Sequence, residues 1–82
     1  MSNDQSYKTA DLYYAAYLKA AAVEFLGTEQ DTRERRTLFV FEKVPNIRDL
    51  KAQYFTRRAK VPALTYADEI KALKTLTHMD ED

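Results

Sequence analysis

Two periods of hydrophobic residues alternate along the chain, one typical of helices and one typical of strands. Apolar side chains recur at helical spacing over residues 9–22, with Thr9 as the expected N-cap and Asp11 in the first turn. From Val23 the period changes to the two-residue alternation of a short strand, which we expect over residues 23–30. The chain therefore opens with a predicted helix followed by a predicted strand.

The strongest strand signal follows a polar connection. Residues 30–36 are polar throughout, whereas residues 37–41 form an uninterrupted run of β-branched and aromatic side chains. Two strands joined by a short polar loop are typical of an antiparallel hairpin. Pro45 is expected to end the second strand because it has no backbone N–H to donate.

Two further helices are predicted after Pro45. Asn46 is a suitable N-cap for a helix that ends near residue 56. Its apolar face consists of Ile47, Leu50, Tyr54 and Phe55. After a linker at residues 56–60, Pro62 suits the first position of a third helix that extends to about residue 77. The apolar face of this third helix consists of Ala63, Tyr66, Ala67, Ile70, Leu73 and Leu76.

The predicted fold is a single small α+β domain in the order α-β-β-α-α. We expect the domain at residues 7–78, a disordered tail at residues 1–6 and an acidic tail at residues 79–82. The helices are expected to cover an antiparallel two-stranded hairpin, because an isolated hairpin is only marginally stable. A hairpin has two open edges and a chain of 82 residues has a small core, so we expect a homodimer to complete it.

Composition excludes several classes of site. The chain has no Cys, one His and one Gly, which excludes disulfides, thiolate zinc sites, multi-histidine metal sites and a glycine-rich phosphate loop. No apolar run approaches the length of a membrane helix, and the polar N-terminus does not resemble a secretory signal. We therefore expect a cytoplasmic protein with no membrane association, metal or cofactor.

The middle of the chain is basic although the net charge is zero. The 13 basic and 13 acidic residues cancel overall, but residues 31–60 hold nine basic and four acidic groups, a local charge of +5. Guanidinium groups bind phosphates in bidentate fashion, and clustered cations gain affinity by counterion release. Contacts to DNA or RNA are therefore expected from Arg33, Arg35, Arg36, Arg57, Arg58 and Lys60. Alternatively, these residues only solvate a loop and a helix C-terminus.

The aromatic and titratable residues favour a structural interpretation. Tyr13 and Tyr14 are adjacent in a helix and diverge by about 100°, so one of them is expected to be exposed. The lone His78 lies beside an acidic segment with no nucleophile near it, and we expect no catalytic role for it. The acidic residues near the hairpin are Glu24, Glu29, Asp31 and Glu34. Nothing in their spacing demands a catalytic pair, and a chain this short implies no ligand pocket. We expect no enzymatic activity and no small-molecule substrate.

Several short motifs are spread along the chain. The opening motif is Tyr7-Lys8-Thr9-x-Asp11-Leu12-Tyr13-x-Ala15-Ala16-Tyr17-Leu18. The middle motifs are Leu26-Gly27, Phe39-Val40-Phe41-Glu42 and Tyr54-Phe55, and the closing helix carries Val61, Ala63, Tyr66, Ala67, Leu73 and Lys74. Together these motifs resemble those of a family of small bacterial and phage domains of unknown function.

The resemblance covers about residues 7–76 and implies the element order already predicted. It implies no activity, ligand or site. The chain departs from the family at two places where members often carry a glycine. One is the end of the first helix, at Ala20-Ala21-Ala22, and the other follows the aromatic pair, at Thr56-Arg57-Arg58.

These observations predict a small non-enzymatic accessory protein that binds nucleic acid through the hairpin loop and the linker. The alternative is an adaptor for protein–protein interaction, or a homo-oligomeric structural module, in which the charges only solubilise the surface. An adaptor would expose a contiguous apolar patch.

Overall fold

A three-stranded antiparallel sheet packs against helices in the computed structural model of the chain, which describes residues 6–57 and 59–81. The elements are β1 Ser6–Thr9, α1 Leu12–Ala20, β2 Phe25–Asp31, β3 Arg36–Glu42, α2 Ile47–Phe55 and α3 Ala63–Glu81. The predicted α+β class is confirmed, as are the hairpin and the three helices.

The sheet has a third strand, β1, which the sequence did not predict. The strand order is β1-β3-β2, so β3 lies in the centre and pairs with both neighbours. Ser6, which was assigned to the tail, pairs with Glu42, and Thr9 pairs with Phe39. The predicted hairpin of β2 and β3 is therefore part of a three-stranded sheet rather than a sheet of two strands. Residues 1–5, the rest of the predicted tail, lie outside the described residues.

The core forms between one face of the sheet and the helices. Phe39 and Phe41 alternate with half-buried neighbours along β3, so their side chains share the buried face. They pack in one cluster with Leu18 of α1 and Leu73 of α3. Tyr14 is 2% exposed and Tyr13 is 49% exposed, which confirms that only one of these adjacent tyrosines faces inward.

Helix α1 begins later than predicted because Asp11, rather than Thr9, caps it. Asp11 Oδ1 accepts hydrogen bonds from the N–H groups of Tyr13 and Tyr14, at 3.0 and 3.1 Å. Thr9 lies in β1, where its Oγ1 accepts a hydrogen bond from the N–H of Asp11 at 3.1 Å. The helix ends at Ala20, two residues before the predicted end.

Helices α2 and α3 differ from the prediction mainly at their ends. Phe55 is 58% exposed, so it does not lie on the buried face of α2 as expected. Pro62 directly precedes the first residue of α3, and its carbonyl accepts a hydrogen bond from the N–H of Tyr66. Helix α3 continues through Glu81, so residues 79–81 are helical where a tail was expected, and Asp82 lies outside the described residues.

An ion pair joins α1 and α3, in which Lys19 Nζ lies 2.9 Å from Glu69 Oε1. It supplements the extensive packing between α1 and α3. Within the described part of the chain, no helix has the length and apolar character needed to cross a membrane.

Candidate nucleic-acid interface

The segment that joins α2 to α3, residues 56–62, forms the basic linker. Its first turn closes α2, because the Thr56 hydroxyl donates a 2.7 Å hydrogen bond to the carbonyl of Ala52. The N–H of Arg57 then donates to the carbonyl of Tyr54 at 3.2 Å. Arg57 has a φ of 63°, a left-handed conformation that ends helices and favours glycine. This reversal turns the chain away from the α2 axis at Arg57.

A cavity of about 670 Å³ lies beside the basic linker. The volume falls within the range of ligand-binding pockets, so the expectation that this chain has no pocket is wrong. Each helix contributes one tyrosine to it: Tyr17 from α1, Tyr54 from α2 and Tyr66 from α3. The linker contributes the remaining lining residues, which are Arg57, Ala59, Lys60, Val61 and Pro62.

Tyr17 and Tyr54 belong to an aromatic cluster, and a hydrogen bond holds Tyr66 near it. The ring centroids of Tyr17 and Tyr54 are 5.4 Å apart, and those of Tyr14 and Tyr54 are 5.1 Å apart. The hydroxyl of Tyr66 donates a hydrogen bond to the carbonyl of Tyr13 at 3.2 Å. Burial raises the pKa of Tyr54 to about 12, and the neighbouring Tyr66 hydroxyl adds to the rise. Tyr54 is therefore a neutral hydroxyl group at physiological pH.

The mouth of the cavity is cationic. Arg57 and Lys60 are both exposed, and none of the residues that line the cavity is acidic. Arg58, the third predicted basic residue of the linker, lies outside the described residues. The described surface therefore combines two cations with half-buried aromatic rings, the combination that single-stranded nucleic acids bind.

The other basic residues that were predicted to bind nucleic acid lie in or directly after the turn between β2 and β3. The Asp31 carboxylate accepts hydrogen bonds from the N–H groups of Arg33 and Glu34, at 3.2 and 3.4 Å, which shapes the turn. Arg36 Nε lies 3.3 Å from Asp31 Oδ2, so its charge is partly neutralised by an ion pair. Arg35 has a φ of 55° and, like Arg33, has an exposed side chain.

The turn and the basic linker do not form one cleft. Arg35 and Arg36 line a second cavity of about 360 Å³, which includes Thr77 near the end of α3. The two cavities share no lining residue. Tyr66 and Thr77 are eleven residues apart on one helix, a rise of about 16 Å. The two cavities therefore lie at different heights along α3.

Two of the four candidate acidic residues are engaged in ion pairs. Glu29 Oε1 lies 2.9 Å from Lys8 Nζ, and Asp31 pairs with Arg36. Among the residues that the structure describes, no three His, Cys, Asp or Glu residues are placed to hold a metal ion. The side chain of His78 lies outside the described residues.

Sequence reasoning identified the cations but missed the cavity beside them. Tyr17, Tyr54 and Tyr66 come from three different helices, so no local motif joins them. Their placement on apolar helical faces indicated a core role, which is confirmed for Tyr17, at 3% exposed. The only signal for the cavity was the position of a basic segment directly after the Tyr54-Phe55 pair.

Comparison with known proteins gives one match. The model of a family described as a domain of unknown function (DUF5659) matches residues 4–79, nearly the whole chain. No curated protein and no solved structure matches. The bacterial or phage origin that the resemblance implied stays a prediction.

Proposed function

This chain belongs to the DUF5659 family, and we propose that it is a small non-enzymatic, cytoplasmic protein that binds nucleic acid through the basic linker. The observation that carries the proposal is the placement of exposed Arg57 and Lys60 at the mouth of a tyrosine-lined cavity with no acidic lining residue. The lack of cysteine supports a reducing compartment.

The backbone at Arg57 supports a role for its side chain. A left-handed conformation costs a residue with a Cβ about 1–2 kcal/mol relative to an ordinary conformation. Glycine avoids this cost, and this is one of the two places where the resembling domains often carry it. An exposed arginine at such a position is unfavourable for folding, and strained backbone conformations cluster at binding sites, which favours a contribution of Arg57 to binding.

The turn between β2 and β3 is the proposed second contact. Arg35 also holds a left-handed backbone, and Arg33 is exposed beside it. The α3 residues that line the two cavities, Tyr66 and Thr77, are about 16 Å apart along the helix axis, a length that roughly five nucleotides cover at 3.4 Å each. An oligonucleotide that tests both contacts should therefore be longer than five nucleotides.

The proposal is tested by fluorescence anisotropy with labelled single-stranded and duplex oligonucleotides at several salt concentrations. Affinity is expected to decrease with salt, and the slope of log K against log salt measures the phosphate contacts. The double substitution Arg57→Gln with Lys60→Gln is expected to weaken single-strand binding about tenfold and to reduce the slope by about 1.4, since each contact contributes about 0.7.

The matched control removes the same charge elsewhere. Arg48 and Lys51 are exposed on α2 outside the cavity, and Arg48→Gln with Lys51→Gln is expected to leave affinity and slope nearly unchanged. Equal losses in both double variants would reduce the proposal to general charge attraction. Absence of binding at low salt and about 10 μM protein would refute nucleic-acid binding altogether.

A protein-interaction role is the second candidate, because large apolar side chains flank the basic linker. Phe55 is 58% exposed at its start, and Leu64 is 81% exposed just after it. The edges of β1 and β2 offer a route to the proposed homodimer, since β3 alone lies in the centre of the sheet. Sedimentation velocity distinguishes monomer from dimer, and a monomer at micromolar concentration would exclude the homo-oligomeric module.

A further inference from the structure

We infer that the cavity beside the basic linker receives one unpaired nucleobase, while Arg57 and Lys60 bind the phosphate attached to it. This inference deepens the proposed function and rests on it, since it specifies which part of the nucleic acid the linker site recognises. It predicts a preference for single strands, because a base within a duplex is stacked and its ring faces are not accessible.

The first support is that the cavity has room for a base. A volume of about 670 Å³ accommodates a nucleotide-sized ligand. Tyr54 and Tyr66 line this cavity and are half-buried, so each presents part of its side chain to it. Base stacking on such rings does not depend on sequence, because every base has a π-face.

The second support is the distribution of polarity. The apolar part of the lining comes from Ala59, Val61 and Pro62, which suits the flat hydrophobic surface of a base. The cations lie in the exposed part of the lining, where an attached phosphate would remain partly in water. A base with an attached phosphate contacts both the apolar lining and the two cations, whereas a neutral apolar ligand has no charge for Arg57 and Lys60 to bind.

The decisive probe is an oligonucleotide that lacks bases. Anisotropy titrations compare a short single-stranded oligothymidylate, an abasic oligomer of the same length and charge, and a duplex. The oligothymidylate is expected to bind roughly 5- to 140-fold more tightly than the abasic oligomer, the range given by stacking one base on an aromatic side chain. Thymidine monophosphate in a parallel titration tests whether a free nucleotide is sufficient.

A cavity-filling variant tests the location without removing core contacts. Ala59→Trp places an indole in the cavity, and it is expected to remove the advantage of the oligothymidylate over the abasic oligomer. Ala72 is exposed on α3 and lies outside the lining, so Ala72→Trp is the matched control and should bind as the unmodified protein does. Thermal unfolding of both variants confirms that they are folded.

If Ala59→Trp unfolds, Val61→Gln is the second variant. Val61 is half-buried, and its replacement by glutamine makes the lining of the cavity less apolar. The variant is expected to weaken binding of the oligothymidylate but not of the abasic oligomer. If Val61→Gln weakens the affinity for both oligomers by the same factor, the inference is overturned.

The outcomes separate this inference from the proposed function. Equal binding of all three nucleic acids, unaffected by Ala59→Trp, would overturn base insertion and leave phosphate binding by the linker intact. Binding of the mononucleotide alone, sensitive to Ala59→Trp, would keep the nucleotide pocket and refute strand binding. No binding of any probe would refute both.

Discussion

Three residues other than glycine hold a left-handed backbone among those that the structure describes. They are Ala22 after α1, Arg35 in the turn between β2 and β3, and Arg57 after α2, with φ of 70°, 55° and 63°. Ala22 and Arg57 each lie just after a helix, where the left-handed conformation favours glycine. At both places a residue with a Cβ carries the conformational cost.

Substitution by glycine is expected to stabilise the protein at both helix ends. Ala22→Gly relieves about 1–2 kcal/mol of backbone strain and is opposed by the greater freedom of glycine in the unfolded chain, for a net gain of about 1 kcal/mol. Arg57→Gly is expected to raise the free energy of unfolding by a similar amount and to weaken nucleic-acid binding. Urea denaturation and anisotropy measure the two effects.

The control is Ala20→Gly, at a helical position where glycine costs about 1 kcal/mol. Stabilisation by Ala20→Gly as well would show that the gain does not come from the left-handed backbone. Unchanged binding by the more stable Arg57→Gly protein would remove Arg57 from the interface.

At the scale of elements, Asp11 determines where α1 begins. Its carboxylate accepts hydrogen bonds from two N–H groups at the helix N-terminus, which have no partner within the helix. Asp11→Ala is expected to reduce the free energy of unfolding by about 1 kcal/mol, because both groups lose their partner.

Asp11→Asn is the matched control, since asparagine caps as well as aspartate. It should retain nearly all of the stability in chemical denaturation followed by circular dichroism. A loss equal to that of Asp11→Ala would assign the effect to the negative charge rather than to the cap.

The elements with their own periodicity could be predicted, and β1 could not. β3 has five consecutive apolar or β-branched residues and was predicted within one residue at each end. β1 has four residues, of which only Tyr7 is strongly apolar, and it exists because β3 offers a partner far along the chain. The pairing of Thr9 with Phe39 also explains the wrong N-cap, because it keeps Thr9 in the sheet and the helix begins at Leu12, directly after Asp11.

At the scale of the whole molecule, the tyrosine cluster makes stability sensitive to alkaline pH. Burial raises the pKa of Tyr54 from 10.0 to about 12, and burial also raises the pKa values of Tyr14 and Tyr17. The unfolded chain releases these protons first, so the free energy of unfolding decreases as pH rises from about 10 through the folded pKa of Tyr54.

Alkaline titration followed by circular dichroism and by tyrosinate absorbance measures this effect. Part of the absorbance change is expected to coincide with unfolding, and Tyr54→Phe should shift the unfolding midpoint to higher pH. Complete ionisation of the six tyrosines in a protein with native circular dichroism would contradict the expectation.

The candidate site was predictable only in its charges. Arg57 and Lys60 could be named because a basic segment is visible in the sequence. The cavity depends on how α1, α2 and α3 meet, and the separation of the linker from the hairpin turn depends on the direction of α3. Such distances are set by packing between elements, for which a local pattern contains no information.

The meeting of three tyrosines in the cavity has a spectroscopic consequence. The chain has no tryptophan, so its intrinsic fluorescence comes from tyrosine alone, and three of its six tyrosines line the cavity. A molecule that enters the cavity contacts the half-buried Tyr54 and Tyr66 and therefore changes part of the total emission. Occupancy of the cavity can therefore be followed in the unlabelled protein, while contacts at the hairpin turn leave that emission nearly unchanged.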